Sequence, residues 1–161
     1  MSSMKKYELT EETKVIGGKT FFRIRALRSF RDIEAGDLGG FIENERNLSH
    51  GGNAWVGDNA KVCGNAKVSG NAQVSGDTRF NGNGLINSND DYLCERGLGS
   101  HNRSASFFKC KDGHIHVLCG CFSGNLDEFE NKVKKEHGNS KYAKEYLGFI
   151  EVVKTHFEVR Q

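Results

Sequence analysis

Between Asn53 and Asn87 the chain repeats every six residues, and no other feature constrains its fold as much. A small residue recurs at Ala54, Ala60, Ala66, Ala72, Thr78 and Gly84. A larger apolar residue follows two places on, at Val56, Val62, Val68, Val74, Phe80 and Ile86. Residues two apart on an extended strand share a face, so each pair points inward. The residue between them (Trp55, Lys61, Lys67, Gln73, Arg79 or Leu85) points out. Gly with Asn or Asp separates most of the pairs, and these residues tolerate positive φ and make tight corners. Strands this short cannot pair as hairpins. They can stack on the next cycle of the same chain.

The period resembles the left-handed parallel β-helix of hexapeptide-repeat proteins, in which three hexads close one triangular turn. On that resemblance the fold class expected is mainly β: a short left-handed parallel β-helix, an N-terminal β-hairpin cap and a small C-terminal α+β module of one hairpin and two helices. Stacking at three hexads pairs Trp55 with Gln73, Lys61 with Arg79 and Lys67 with Leu85. Outward Trp55 and Leu85 are then candidate interface residues, although an N-terminal segment could equally cover Trp55. Hexapeptide-repeat proteins are typically trimers, which implies a homotrimer here. The familiar enzymes of that group are acyltransferases acting through a histidine, but the regular hexads hold none and only His50 lies near them. A fold does not by itself supply a reaction.

Composition fits a thin, glycine-cornered interior: 36% hydrophobic residues, 20 glycines and no proline. The net charge of +2 does not point to nucleic acid. Five cysteines are an odd number, the N-terminal residues lack an apolar signal core, and no stretch approaches a membrane span. The expectation is a reduced, cytoplasmic protein.

Three segments follow along the chain: 1–35 as the hairpin cap, 36–90 as the repeat and 91–161 as the C-terminal module. Gly17-Gly18 joins Lys14-Val15-Ile16 to an alternating run through Ala26, a hairpin signal. Arg23, Arg25, Arg28 and Arg31 form a basic run, either a solvated face or a phosphate-binding surface. Counting back by sixes from Ala54 reaches Leu48 and Ile42, which suit an interior. Residues 88–103 break the period and read as a linker hinged at Gly97 and Gly99. Two strands around Asp112-Gly113 come next. A helix then opens at Asn125 with Glu128 at the capping-box position, and a second helix starts at Ser140.

Two groups of residues carry candidate chemistry. Ser100, His101, Asn102 and Arg103 form a polar, Gly-flanked loop able to bind a phosphate or carboxylate. His114-x-His116, Cys119-Gly120-Cys121 and Cys110 offer zinc-ligand types. Strand parity, however, places Cys119 and Cys121 with Ile115 and Val117, and the histidines on the other face with Leu118. Core packing of the cysteines is the reading preferred, so no metal, cofactor or catalytic residue is assigned.

Gly36-Asp37-Leu38-Gly39-Gly40-Phe41-Ile42-Glu43 and Cys119-Gly120-Cys121-Phe122-Ser123-Gly124, together with the repeat, resemble small phage- and prophage-encoded β-helix proteins. The resemblance implies a non-catalytic accessory protein of the host cytoplasm. Its expected task is counter-defence, by sequestering a nucleotide signal or occupying a host defence protein. A divergent acyl- or nucleotidyl-type transferase and a structural phage component are the alternatives.

Overall fold

The structure, a computed structural model, describes residues 5–99 and 103–158. The chain divides into two compact units, Met1–Asn89 and Asp90–Gln161.

In the first unit β1 (Tyr7–Ile16) and β2 (Lys19–Ala26) form an antiparallel hairpin with Ile16 opposite Lys19. The turn between them is Gly17-Gly18, both at positive φ (+59° and +80°), which a side chain at either position would oppose. β3 (Leu38–Ile42) pairs antiparallel with β2 and parallel with β5 (Lys61–Val62), which in turn pairs parallel with β8 (Arg79–Phe80). The result is a mixed five-stranded sheet in the order β1-β2-β3-β5-β8. The remaining hexads make two ribbons, β4 (Trp55–Val56) with β7 (Gln73–Val74) and β6 (Lys67–Val68) with β9 (Leu85–Ile86).

Within the hexads the inward residues are placed as the period demands. Ala54, Ala60, Ala66 and Ala72 are buried, as are the larger residues Val56, Val62, Val68, Val74, Phe80 and Ile86. Trp55 lies opposite Gln73, Lys61 opposite Arg79 and Lys67 opposite Leu85.

The architecture expected around those positions does not form. Among the described residues strand accounts for 42% and helix for 24%, and the short strands lie in several small separate sheets with no closure into a solenoid. The protein is therefore mixed α and β, not a mainly β left-handed parallel β-helix. The pairing gives the reason. Each hexad contributes only two residues of strand. One set of these is absorbed into the sheet of the N-terminal hairpin, and the other two sets stop as isolated ribbons. A six-residue period dictates which residues are buried. It does not dictate how such short strands join.

The register also slips ahead of the repeat. Ile42 pairs with Val62 and Leu48 bridges Val68, so both occupy the larger-residue position and not the alanine position reached by counting in sixes. The two extra residues fall in Ser49-His50-Gly51-Gly52-Asn53.

The second unit is an antiparallel meander in the order β10-β11-β12-β13: Tyr92–Leu98, Arg103–Lys109, Ile115–Cys119 and Phe122–Asn125. Two of these strands correct the sequence reading. Tyr92–Leu98 is an edge strand and not a linker, and Phe122–Asn125 returns along β12 after the Gly120-Cys121 turn. Helix α1 (Leu126–His137) starts at a complete capping box: Asn125 Oδ1 accepts from the Glu128 amide at 2.8 Å, and Glu128 Oε1 accepts from the Asn125 amide at 2.9 Å. Helix α2 (Lys141–Glu158) follows. Phe129 and Val133 from α1 and Ala143, Tyr146, Ile150 and Val153 from α2 pack on Ala105, Phe107, Val117 and Cys119 of the sheet. Among the described residues, no helix is long and apolar enough to cross a membrane.

Candidate functional site

The connection between β11 and β12 decides which side chains meet. The Cys110 amide donates to the His114 carbonyl at 3.0 Å, and the Gly113 amide donates to the Cys110 carbonyl at 2.9 Å. Cys110 and His114 are thus cross-strand partners separated by Lys111, Asp112 and Gly113, with Gly113 at φ +91°. A two-residue turn at Asp112-Gly113 would have set Cys110 opposite Ile115, facing the helices. One further residue in the turn moves Cys110 to the other face, because side chains alternate along a strand. His116, two residues after His114, shares that face and lies opposite Phe108. The Cys110 sulfur and the ring nitrogens of His114 and His116 consequently converge, all within 4.8 Å of one another.

Partners orient both rings. His114 Nδ1 and the His114 amide lie against Asp112 Oδ1, the amide at 3.0 Å. A carboxylate only accepts, so Nδ1 carries a proton, and in the neutral ring Nε2 is then the nitrogen with the free lone pair. That Nε2 faces His116 Nδ1 at 3.4 Å, and His116 Nε2 lies 2.9 Å from Ser123 Oγ. A hydroxyl can accept or donate, so Ser123 permits His116 either tautomer. Burial, followed by the neighbouring His114, holds the His116 imidazole below its ordinary value. Burial, followed by the Asp112 charge, pushes the Cys110 thiol up to about 11. Hydrogen bonds from the His114 amide and ring hold the Asp112 carboxyl below the usual range.

Cys119 lies where parity put it, buried in the core on the opposite face, while Cys121 in the Gly120-Cys121 turn is exposed. The sequence reading set Cys110, Cys119 and Cys121 beside the histidines as ligand types, and parity then separated Cys119 and Cys121 from them. The structure joins the histidines to Cys110.

Of the polar loop, Ser100, His101 and Asn102 lie outside the described residues. Its two ends are described. The Gly99 amide donates to Glu145 Oε1 at 2.6 Å, and the Tyr146 hydroxyl donates to the Leu98 carbonyl at 3.3 Å. Burial, followed by Cys119, pushes that phenol up to about 12. Arg103 opens β11 and is exposed, with its guanidinium lying directly over Gly120, where a Cβ would collide with Nη1.

Trp55 is buried by its own chain. Phe30 meets it edge-on at 5.4 Å between centroids, and Gly39 packs so closely that a Cβ there would come within 2.6 Å of the indole. This is the covering by an N-terminal segment weighed for it. Leu85 is half-buried opposite Lys67. In the basic run, Arg23 and Arg25 pair with Glu12 and Glu8 and lie along the hairpin.

Sequence reasoning passed over a group around His50. Its ring stacks on Tyr7 at 4.1 Å, its Nδ1 accepts from the Lys6 amide at 3.1 Å, and its Nε2 donates to Glu45 Oε1 at 2.9 Å. The Tyr7 hydroxyl donates to the Leu48 carbonyl at 2.6 Å. These contacts tie the N-terminus to the two-residue slip, and the available signal was the slip itself. No protein-family model matches this chain, and no curated protein matches it.

Proposed function

We propose that this chain is a non-catalytic accessory protein of phage or prophage origin that acts in the host cytoplasm as a homotrimer and blunts a host defence by holding a nucleotide signal. The observation that carries the reading is Arg103. Its exposed guanidinium is braced against Gly120 at the foot of the 99–103 loop. A planar guanidinium held in one orientation suits bidentate recognition of a phosphate. The loop adds a hydroxyl, an imidazole and an amide at Ser100, His101 and Asn102.

Calorimetric titration with linear and cyclic nucleotides, followed by recovery of the ligand, tests this reading. Saturable binding with intact ligand recovered, weakened at least about tenfold in Arg103→Ala, supports it, since a charge-assisted pair contributes about 1.5–3 kcal/mol. Turnover of the nucleotide favours a transferase. Binding that is unchanged in Arg103→Ala removes the site from Arg103. Light scattering gives the subunit number independently.

A further inference from the structure

We infer that the turn of the β11–β12 hairpin is a binding site for a zinc-class divalent transition-metal ion, with Cys110 Sγ, His114 Nε2 and His116 Nδ1 as ligands and Asp112 orienting His114. This stands apart from the nucleotide reading and shares no residue with it.

Four observations meet at this turn. The ligand types are thiol and imidazole, the set that borderline-soft ions such as Zn²⁺ prefer over oxygen ligands. The spacing fits: two nitrogens bound tetrahedrally at ~2.0–2.1 Å from zinc lie about 3.3 Å apart, and His114 Nε2 and His116 Nδ1 are 3.4 Å apart. The outer contacts fit as well. Asp112 accepts a hydrogen bond from Nδ1–H of His114 and so turns Nε2 inward, as in the carboxylate–histidine–metal arrangement. Ser123 does the same for His116 when its hydroxyl accepts from Nε2. Finally, Cys110 is buried at 3% exposure, with its sulfur within 4.8 Å of a ring nitrogen of each histidine. A bound cation supplies the charge that would stabilise its thiolate there.

The ligands lie within seven residues, and all three are fixed by backbone pairing of one hairpin, so little chain need be ordered for the ion to bind. With three protein ligands the fourth tetrahedral position is left to water or to an added ligand.

The test uses the full-length, reduced, chelator-treated protein titrated with Zn²⁺ alone and with Co²⁺ alone. The expected result is one equivalent of Zn²⁺ bound at micromolar affinity or better. Co²⁺ should give tetrahedral d–d bands and a thiolate-to-cobalt charge-transfer band. His114→Ala removes an exposed side chain and so leaves the fold intact. It should weaken Zn²⁺ binding at least about a hundredfold, and Asp112→Asn by about tenfold to a hundredfold. Cys110→Ser should abolish the charge-transfer band, while Cys121→Ser leaves affinity and spectrum unchanged. The assignment is overturned by sub-stoichiometric or millimolar binding, by an octahedral cobalt spectrum without charge transfer, or by wild-type affinity in folded His114→Ala.

Discussion

The side-chain ammonium of Lys6 donates to the backbone carbonyl of Ala54, the first small residue of the repeat, across 48 positions of chain. Lys6 is fully buried there, and its amine is lowered from 10.5 to about 8, first by burial and then by the nearby Arg28. Between those two values the unfolded chain binds more protons at this position than the folded one. The contribution of Lys6 therefore raises stability as pH climbs from about 8 towards 10.5. Urea midpoints measured across that range should show the rise in wild type relative to Lys6→Met, and the difference between the two isolates this group from Tyr7 and the thiols. Parallel curves for the two proteins would show that Lys6 keeps an ordinary amine in the fold.

Val68 has no exposed surface, pairs in register with Ile86 and is bridged by Leu48. Val68→Asp buries a carboxylate among these apolar residues, a loss of several kcal/mol. Circular dichroism and thermal melting should show the first unit unfolded or melting far earlier.

Glycine corners differ in what surrounds them. Gly70 and Gly76 have nearly the same positive φ, +63° and +65°. Nothing lies within 4 Å of a Cβ at Gly76, whereas a Cβ at Gly70 collides with the Asn87 carbonyl oxygen. Gly76→Ala should therefore cost only the conformational penalty of about 1–2 kcal/mol. Gly70→Ala should cost clearly more. Chemical denaturation of the two variants side by side reads the difference, and equal losses would contradict the close approach.

Asn125→Ala removes the side-chain half of the α1 capping box and should destabilise the second unit by about 1 kcal/mol. Asn125→Ser should recover most of that loss, which hydrogen exchange in the first turn of α1 can follow.

The parts of this molecule that could be read in advance are those set by local alternation. Ala54 through Ile86 face inward because two-residue spacing leaves no other choice, and Asn125 with Glu128 marks a helix start on chemistry alone. Features that depend on a residue count inside a glycine-bearing segment were hidden. Two extra residues around Gly51-Gly52 shift Leu48 and Ile42 onto the larger-residue positions. Glu95-Arg96-Gly97 interrupts the alternation of β10, where the pairing register itself breaks, so the strand passed for a linker. The metal-ligand group was hidden in the same way. Parity along β12 correctly separated the histidines from Cys119, but the face of Cys110 depends on whether the turn holds two residues or three. The closure of the repeat was not legible either, because a period in sequence says nothing about which short strands find partners.

The chain makes its corners with glycine and contains no proline. Refolding from denaturant therefore carries no prolyl-isomerisation step, the usual source of phases lasting tens of seconds. What remains to limit the rate is the closing of distant pairs, such as Lys6 with Ala54 and Trp55 with Gln73, each of which needs a long loop of chain to be brought together first. Folding of the first unit should accordingly appear as one kinetic population, insensitive to how long the protein is held unfolded.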